Sequence, residues 1–289
     1  MGEKDIAEKN LEAFNDVFAD IVNVLLFKGN KLMKEKDLES AVKDSMFKAD
    51  GKIHQQERDV SKFWKNGEIR ISILGFENQT NPDKDMPLRV ISYDGASYKQ
   101  QLLDNEKGKK DDTTKKSLYP VVTLVLYFGT DEKWSTHKNL LSCFKVPEEL
   151  KPFVNDYKIN VFNIAWLSNK TIDKFQSDFK IVAKYFQSIR VKKNYNGSTE
   201  EIKHVDALLK MLSALTGDNS FEEVYNVGNL DKGGVTMCEV VEKIKNEGKA
   251  ELIRKMLDAN FATEQQIADL LKISVKEVKK IAAKVPVQA

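Results

Sequence analysis

The segment Val121–Phe128 is the longest apolar run in the chain, interrupted only by Thr123, and it restricts the fold more than any other stretch. Side chains alternate between the two faces of a strand, so a run this uniformly apolar needs cover on both faces. The wider segment Tyr119–Gly129 therefore predicts a fully buried central strand. It is far shorter than the roughly 20 apolar residues that a membrane-spanning helix requires. The first residues, Met1-Gly2-Glu3-Lys4-Asp5, also lack the basic and apolar regions of a secretory signal. A cytoplasmic protein with no membrane partner is expected.

The segments around that strand fill in the architecture. Leu11–Phe27 has Phe14, Val17, Phe18, Ile21, Val22, Leu25 and Leu26 at helical spacing, with Gly29 where a C-terminal cap belongs. Val60–Trp64 and Ile69–Asn78 read as strands joined by Lys65-Asn66-Gly67-Glu68, and Asn-Gly between apolar runs is the strongest short-range hairpin signal. A helix is predicted from about Pro87 to Leu103, a strand over Lys158–Leu167, and helices over Asp173–Ile189, Glu200–Leu215 and all of Val240–Ala283. Helix, hairpin, helix, strand, strand, helix makes an α/β domain with a mixed central sheet flanked by helices, followed by an all-α C-terminal region. The boundary is expected near residue 195, giving domains 1–195 and 196–289. The stretch from Asp104 to Lys116 has no apolar residue and reads as a solvated insertion within the first domain.

Composition narrows the function classes. Lys and Arg total 46 against 44 Asp and Glu, a formal charge of +2, which excludes a strongly basic nucleic-acid coat. With 15 Phe, 8 Tyr and 3 Trp the chain has ample material for a core and is not disordered. Cys143 and Cys238 fit a reduced protein without a disulfide framework, and three scattered histidines (His54, His137, His204) argue against structural zinc.

The chemistry concentrates at the hairpin. Asp59 stands just before the first strand, Glu77 at the outer end of the second, and Gln79 two residues on. Two residues apart on a strand share a face, so Glu77 and Gln79 point the same way. Bringing Asp59 opposite Glu77 requires a register offset, for which Gly75 is a suitable place. Two carboxylates a strand spacing apart repel unless a cation or a proton sits between them. Mg²⁺ suits such oxygen donors, lowers the pKa of its water and stabilises charge developing on phosphorus. The alternative is an exposed Asp and Glu flanking a hairpin with no chemical role.

Asp59, then Glu77-Asn78-Gln79 on the return strand, resembles the PD-(D/E)XK nuclease pattern in its variant with Gln in the last position. The wider set Asn15-Asp16-Val17-Phe18, Arg58-Asp59-Val60, Glu77-Asn78-Gln79-Thr80, Met86-Pro87-Leu88-Arg89 with Tyr93, and Tyr119–Gly129 resembles the PD-(D/E)XK nuclease family transposases, relatives of the recombination-promoting nuclease (Rpn) group. The resemblance covers roughly residues 10–190. It implies a restriction-endonuclease-like core and metal-dependent DNA cleavage. Asp59 and Glu77 would hold Mg²⁺, with Mn²⁺ as a substitute. Gln79 would stand where the catalytic lysine does, and Asp16 at the family's N-terminal acidic position. The chain departs from the eponymous motif in having Gln79 for Lys and Arg58 for Pro. A catalytically inactive DNA-binding or assembly protein on the same fold is the alternative.

Asp16 and Asp20 lie four apart and so share a helix face, where they repel unless neutralised. They are either a site or simply the polar side of the helix. Arg89 offers a planar donor fork for phosphate, or a salt bridge to an acidic neighbour. Lys184, Arg190, Lys192 and Lys193, interleaved with Tyr185, Phe186 and Tyr195, suit either a DNA backbone or a solvated helix end. Trp64, Trp134 and Trp166 read as core or rim aromatics. At the C-terminus, Thr263–Ala283 resembles a helix-turn-helix, with Thr263 and Ser274 as caps and Lys276, Lys279 and Lys280 on the second helix. That second helix has no Arg, Asn or Gln for base edges, and a hairpin for dimerisation fits it as well as DNA contact. Double-strand cutting needs two active sites, so a homodimer or self-association through the C-terminal helices is expected.

Overall fold

The computed structural model describes residues 11–40, 45–49, 52–56, 60–74, 82–108, 117–227 and 234–283. In chain order the first part contains α1 (Asn15–Leu25), β1 (Leu38–Ser40), β2 (Ser45–Ala49), β3 (Lys52–Gln56), β4 (Val60–Trp64) and β5 (Ile69–Leu74). It continues with α2 (Met86–Gly108), β6 (Val121–Tyr127), β7 (Asn160–Asn163), α3 (Asn169–Ile172) and α4 (Phe179–Lys192).

Five strands form one mixed sheet in the order β1-β4-β5-β6-β7, and β2-β3 make a separate antiparallel pair. The β4–β5 connection is tight, so those strands are antiparallel. Between β5 and β6 the chain crosses over through α2, and a crossover is what a parallel pair needs. β6 also pairs in parallel with β7, although the residues between them form 3₁₀ turns at Leu140–Cys143 and Glu148–Phe153 rather than a long helix. β6 is thus an interior strand, paired on both sides, and buried as its apolar run predicted: Leu124, Val125, Leu126 and Tyr127 are all fully buried.

The alternation of strand side chains divides the sheet into two faces. One carries Ile71, Ile73 and Leu124. The other carries Arg70, Ser72, Thr123, Val125 and Tyr127. On this second face Met86 and Val90 of α2 pack with Val125, Tyr127, Trp134 and Ile159, and Tyr93 packs against them. In α1, Val17, Phe18, Ile21 and Val22 are buried, as the helical spacing predicted. α1 ends at Leu25; Gly29, at φ +92°, then donates its N–H back to the Asn23 carbonyl at 2.8 Å.

Three predicted elements begin or end elsewhere, each because backbone groups have other partners. The helix predicted from Asp173 begins at Phe179, since the Asp20 carboxylate accepts the N–H groups of Gln176 and Ser177 and the Ser177 hydroxyl. The strand predicted to reach Leu167 stops at Asn163 and becomes a 3₁₀ turn, Ile164–Trp166; the Ala165 carbonyl there is taken by Arg190. The helix predicted from Glu200 begins at Val205, because Ile202 donates to the Val235 carbonyl and Glu201 bridges Thr236.

The remaining helices are α5 (Val205–Thr216), α6 (Ser220–Val227), α7 (Met237–Asp258), α8 (Glu264–Leu271) and α9 (Val275–Ala282). The stretch Val240–Ala283, predicted to be all helical with caps at Thr263 and Ser274, divides into three helices at those caps, with Asn260 and Lys272 in the left-handed region at φ +50° and +53°. Thr236 and Thr263 each form a capping box, with Glu239 and Gln266. The chain divides into two compact units, Met1–Tyr195 with Ala214–Thr216, and Asn196–Ser213 with Gly217–Ala289. Among the described residues no helix is long and apolar enough to cross a membrane.

Candidate functional site

The predicted hairpin is present, and its register fixes which chain ends meet. Trp64 faces Ile69 at the closed end and Val60 faces Ile73 at the open end. The turn is a 3₁₀ turn, Lys65–Gly67, followed by Glu68 in the left-handed region at φ +48°. Gly67 is required for space: a Cβ there would lie 2.3 Å from Cε3 of Trp64. The Asn-Gly signal located the turn correctly, but the glycine serves the close approach of an indole ring.

Because β4 begins at Val60 and β5 ends at Leu74, both chain ends emerge at the same end of the sheet. Asp59 precedes the first by one residue. Glu77 and Gln79 follow the second by three and five. All three lie outside the described residues, as does Gly75. Among the described residues no group of three His, Cys, Asp or Glu side chains is arranged to hold a metal ion.

Directly behind this hairpin, on the α2 face, lies a buried polar layer that sequence reasoning missed. The Arg70 Nε donates to Ser61 Oγ at 2.9 Å, and Ser61 and Ser72 share a hydrogen bond at 3.0 Å. Asp94 of α2, 2% exposed, accepts from Thr123 at 2.6 Å and from the Tyr157 hydroxyl at 2.5 Å. Burial pushes the Arg70 pKa below its ordinary value, while Tyr119 and Asp94 act in the opposite direction. A buried cation needs a nearby anion and satisfied donors, and the layer provides both. The available signal was Arg70, Ser72 and Thr123 at alternate positions of otherwise apolar strands. Ser61, Arg70, Ser72, Asp94 and Thr123 are buried and Tyr157 is half-buried, so the layer holds β5, β6 and α2 together.

The other predicted site residues are dispersed. Asp16 stands in the first turn of α1, partly buried and engaged with neighbours. Asp20, on the same helix face, is committed to the chain just before α4. Arg89, on the first turns of α2, pairs with Asp83 at 3.3 Å. At α4, Arg190 donates through Nε to the Ala165 carbonyl at 2.7 Å and lies 4.5 Å over the Trp166 ring, whose indole N–H donates to the Gly129 carbonyl. Its guanidinium thereby fixes the turn that follows β7. Lys184 is partly buried and engaged. Lys192 and Lys193 are exposed at the helix end, where cations complement the helix dipole, and Lys193 stands 3.7 Å from Asp131. Trp134 is fully buried against Tyr127, a core aromatic.

A family model described as "Putative transposase, YhgA-like" matches residues 64–216, just over half of the chain. The match includes Glu77, Gln79, Arg89 and the α4 cations, and begins after Asp16 and Asp59. No curated protein matches the chain, and no solved structure does.

Proposed function

The chain belongs to the YhgA-like transposase family of the PD-(D/E)XK/Rpn group, and from that premise we propose that it is a metal-dependent DNA endonuclease acting in transposition or recombination. The observation that carries the reading is the hairpin register. It delivers the chain from Val60 and from Leu74 to one end of a mixed sheet whose next strand, β6, runs parallel after a helical crossover. That order of helix, antiparallel strands, helix and parallel strand suits a restriction-endonuclease-like core, with Asp59 and Glu77 as the acidic pair of its motif.

The donor set fits a hard cation. Two carboxylates and a side-chain amide offer only oxygen ligands to Mg²⁺ or Mn²⁺, and no thiolate or imidazole competes within the motif. When bound, the ion supplies Lewis-acid stabilisation of the phosphoryl charge and a more acidic water. Asp59 and Glu77 would hold it. Gln79 orients the attacking water through its amide, accepting from the water with the oxygen and donating toward phosphate with the NH₂. Unlike a lysine it adds no positive charge, so more of the charge stabilisation falls to the ion. Asp16 supports the pair from α1. Exposed Lys192 and Lys193 contact the DNA backbone alongside Lys184, whereas Arg89 and Arg190 act in part through the protein contacts described above. Double-strand cleavage calls for two copies of the chain.

The test is nicking of supercoiled plasmid in Mg²⁺, Mn²⁺ or EDTA, run beside a gel shift. Wild-type protein nicks with Mg²⁺ or Mn²⁺ and is silent in EDTA. Asp59→Ala and Glu77→Ala each lower the rate at least about 100-fold while leaving metal-free binding intact. Variants that cut as fast as wild type would remove these residues from the site. Wild-type binding with no nicking in any metal would favour an inactive DNA-binding protein.

A further inference from the structure

We propose that the C-terminal helices α7–α9 form a second DNA-holding surface, a helix-turn-helix whose last helix, α9, lies against the phosphate backbone of duplex DNA without reading its sequence. The proposal rests on the reading of the chain as a DNA enzyme only in taking DNA as the substrate.

The fold of this segment comes first. Ile253, Ile267, Ala268 and Val278 form a buried cluster, packed round by Met256, Leu257, Leu271, Ile273, Val275 and Ile281. Three helices thus share one small core of their own. α8 and α9 are joined by only Lys272, Ile273 and Ser274, the turn length of a helix-turn-helix. Lys272 takes the left-handed conformation at φ +53°, Ile273 tucks its side chain into the cluster, and Ser274 caps α9 by accepting from the Glu277 N–H. The small Ala268 on α8, 3% exposed, allows the helices to approach closely.

Charge then points to the occupant. Between residues 272 and 280 there are four lysines and one glutamate, while the charged residues of α8, Glu264 and Asp269, are acidic. Lys276 and Lys280 are four apart, hence on one face of α9, and that face is opposite the fully buried Val278. Both are exposed, and no ion pair with either is found among the described residues. Like charges at this spacing destabilise a helix unless an anion lies between them. Lys279, on the flank, is held 3.4 Å from Glu264. Along the side its core leaves free, α9 carries Lys276, Lys279 and Lys280, with Glu277 at the edge, three residues before Lys280, so the lysines outnumber the acid there. In a helix-turn-helix this is the helix that enters the major groove. With Lys but no Arg, Asn or Gln facing outward, α9 can grip phosphate but cannot make bidentate contacts to base edges.

The experiment uses the full chain in EDTA, which separates binding from cleavage. Fluorescence anisotropy with a labelled duplex of about 25 base pairs is measured over a range of KCl, for wild type, Lys276→Glu/Lys280→Glu and the milder Lys276→Gln/Lys280→Gln. Circular dichroism checks that each is folded. Loss of two phosphate contacts lowers affinity roughly tenfold or more at 0.1 M salt and flattens the log–log salt slope by about two. Affinity for unrelated duplex sequences stays within a few-fold. Unchanged affinity and slope in the Gln variant overturns the proposal, as does tighter binding of an acidic peptide or single-stranded RNA than of duplex DNA. Cleavage is read separately in the plasmid-nicking assay, so failure of the nuclease reading shows there, whereas failure of this proposal shows in the affinity and salt slope of the lysine variants.

Discussion

Thr123 donates its hydroxyl hydrogen to Asp94 at 2.6 Å, a buried bond that joins strand β6 to the crossover helix α2. Tyr157 adds a second bond to the other carboxylate oxygen, tying in the chain just before β7. Asp94→Ala leaves the buried Thr123 hydroxyl and the half-buried Tyr157 hydroxyl without this acceptor and removes an anion near Arg70. The expected cost is about 3 kcal/mol, against about 1 kcal/mol for Tyr157→Phe. Urea unfolding measures both; equal losses from the two variants would show that the carboxylate is not the hub.

Arg190 is expected to matter for stability in a way that lysine cannot replace. Its Nε bond to Ala165 and its stacking over Trp166 use a planar, multidentate group in two directions at once. Arg190→Lys therefore lowers stability by about 1–2 kcal/mol and changes Trp fluorescence as Trp166 loses its cover. If Arg190→Lys unfolds with wild type and only DNA affinity falls, the side chain serves the ligand and not the turn.

These two residues show what the sequence could and could not reveal. The apolar run at 121–128, the Asn66-Gly67 turn and the spacing in α1 are local signals, and the structure carries each of them. Asp94 and Arg190 take their roles from partners 29 and 25 residues away, Thr123 and Ala165, and no local pattern encodes such pairings. The same holds for the late start of α4, where Asp20 captures backbone donors 156 and 157 residues further on. At the candidate site Asp59, Glu77 and Gln79 lie outside the described residues, and the structure adds the register that brings the ends of β4 and β5 together. The separation of Arg190 from a general basic cluster required the tertiary contact with Trp166.

Asp156 provides a pH-dependent contact in the segment between β6 and β7. Its carboxyl is held below the ordinary aspartate value, first by the Asn139 side-chain amide at 2.6 Å and then by the N–H of Leu141. A folded-state pKa below the unfolded one favours folding above the unfolded value, about 3.9, and that contribution is lost as pH falls through the lower folded value. Asn139→Ala should move the Asp156 midpoint upward in a carboxyl chemical-shift titration. An unmoved midpoint would assign the depression to the backbone donors alone.

The proposed pairing of Asp59 with Glu77 makes a prediction about stability that does not depend on turnover. Two carboxylates without a cation repel, so removing one charge relieves strain in the metal-free protein. In EDTA, Asp59→Asn should therefore melt at or above the wild-type temperature. Mg²⁺ reverses the order. A ligand at 100 times its Kd stabilises the native state by about 2.7 kcal/mol, which for a unit of this size raises Tm by roughly 5–10 °C. Wild type should gain that shift and lose it again on chelation, while Asp59→Asn and Glu77→Gln gain little. An equal Mg²⁺ shift in all three proteins would place the ion elsewhere, whatever the nicking assay reports.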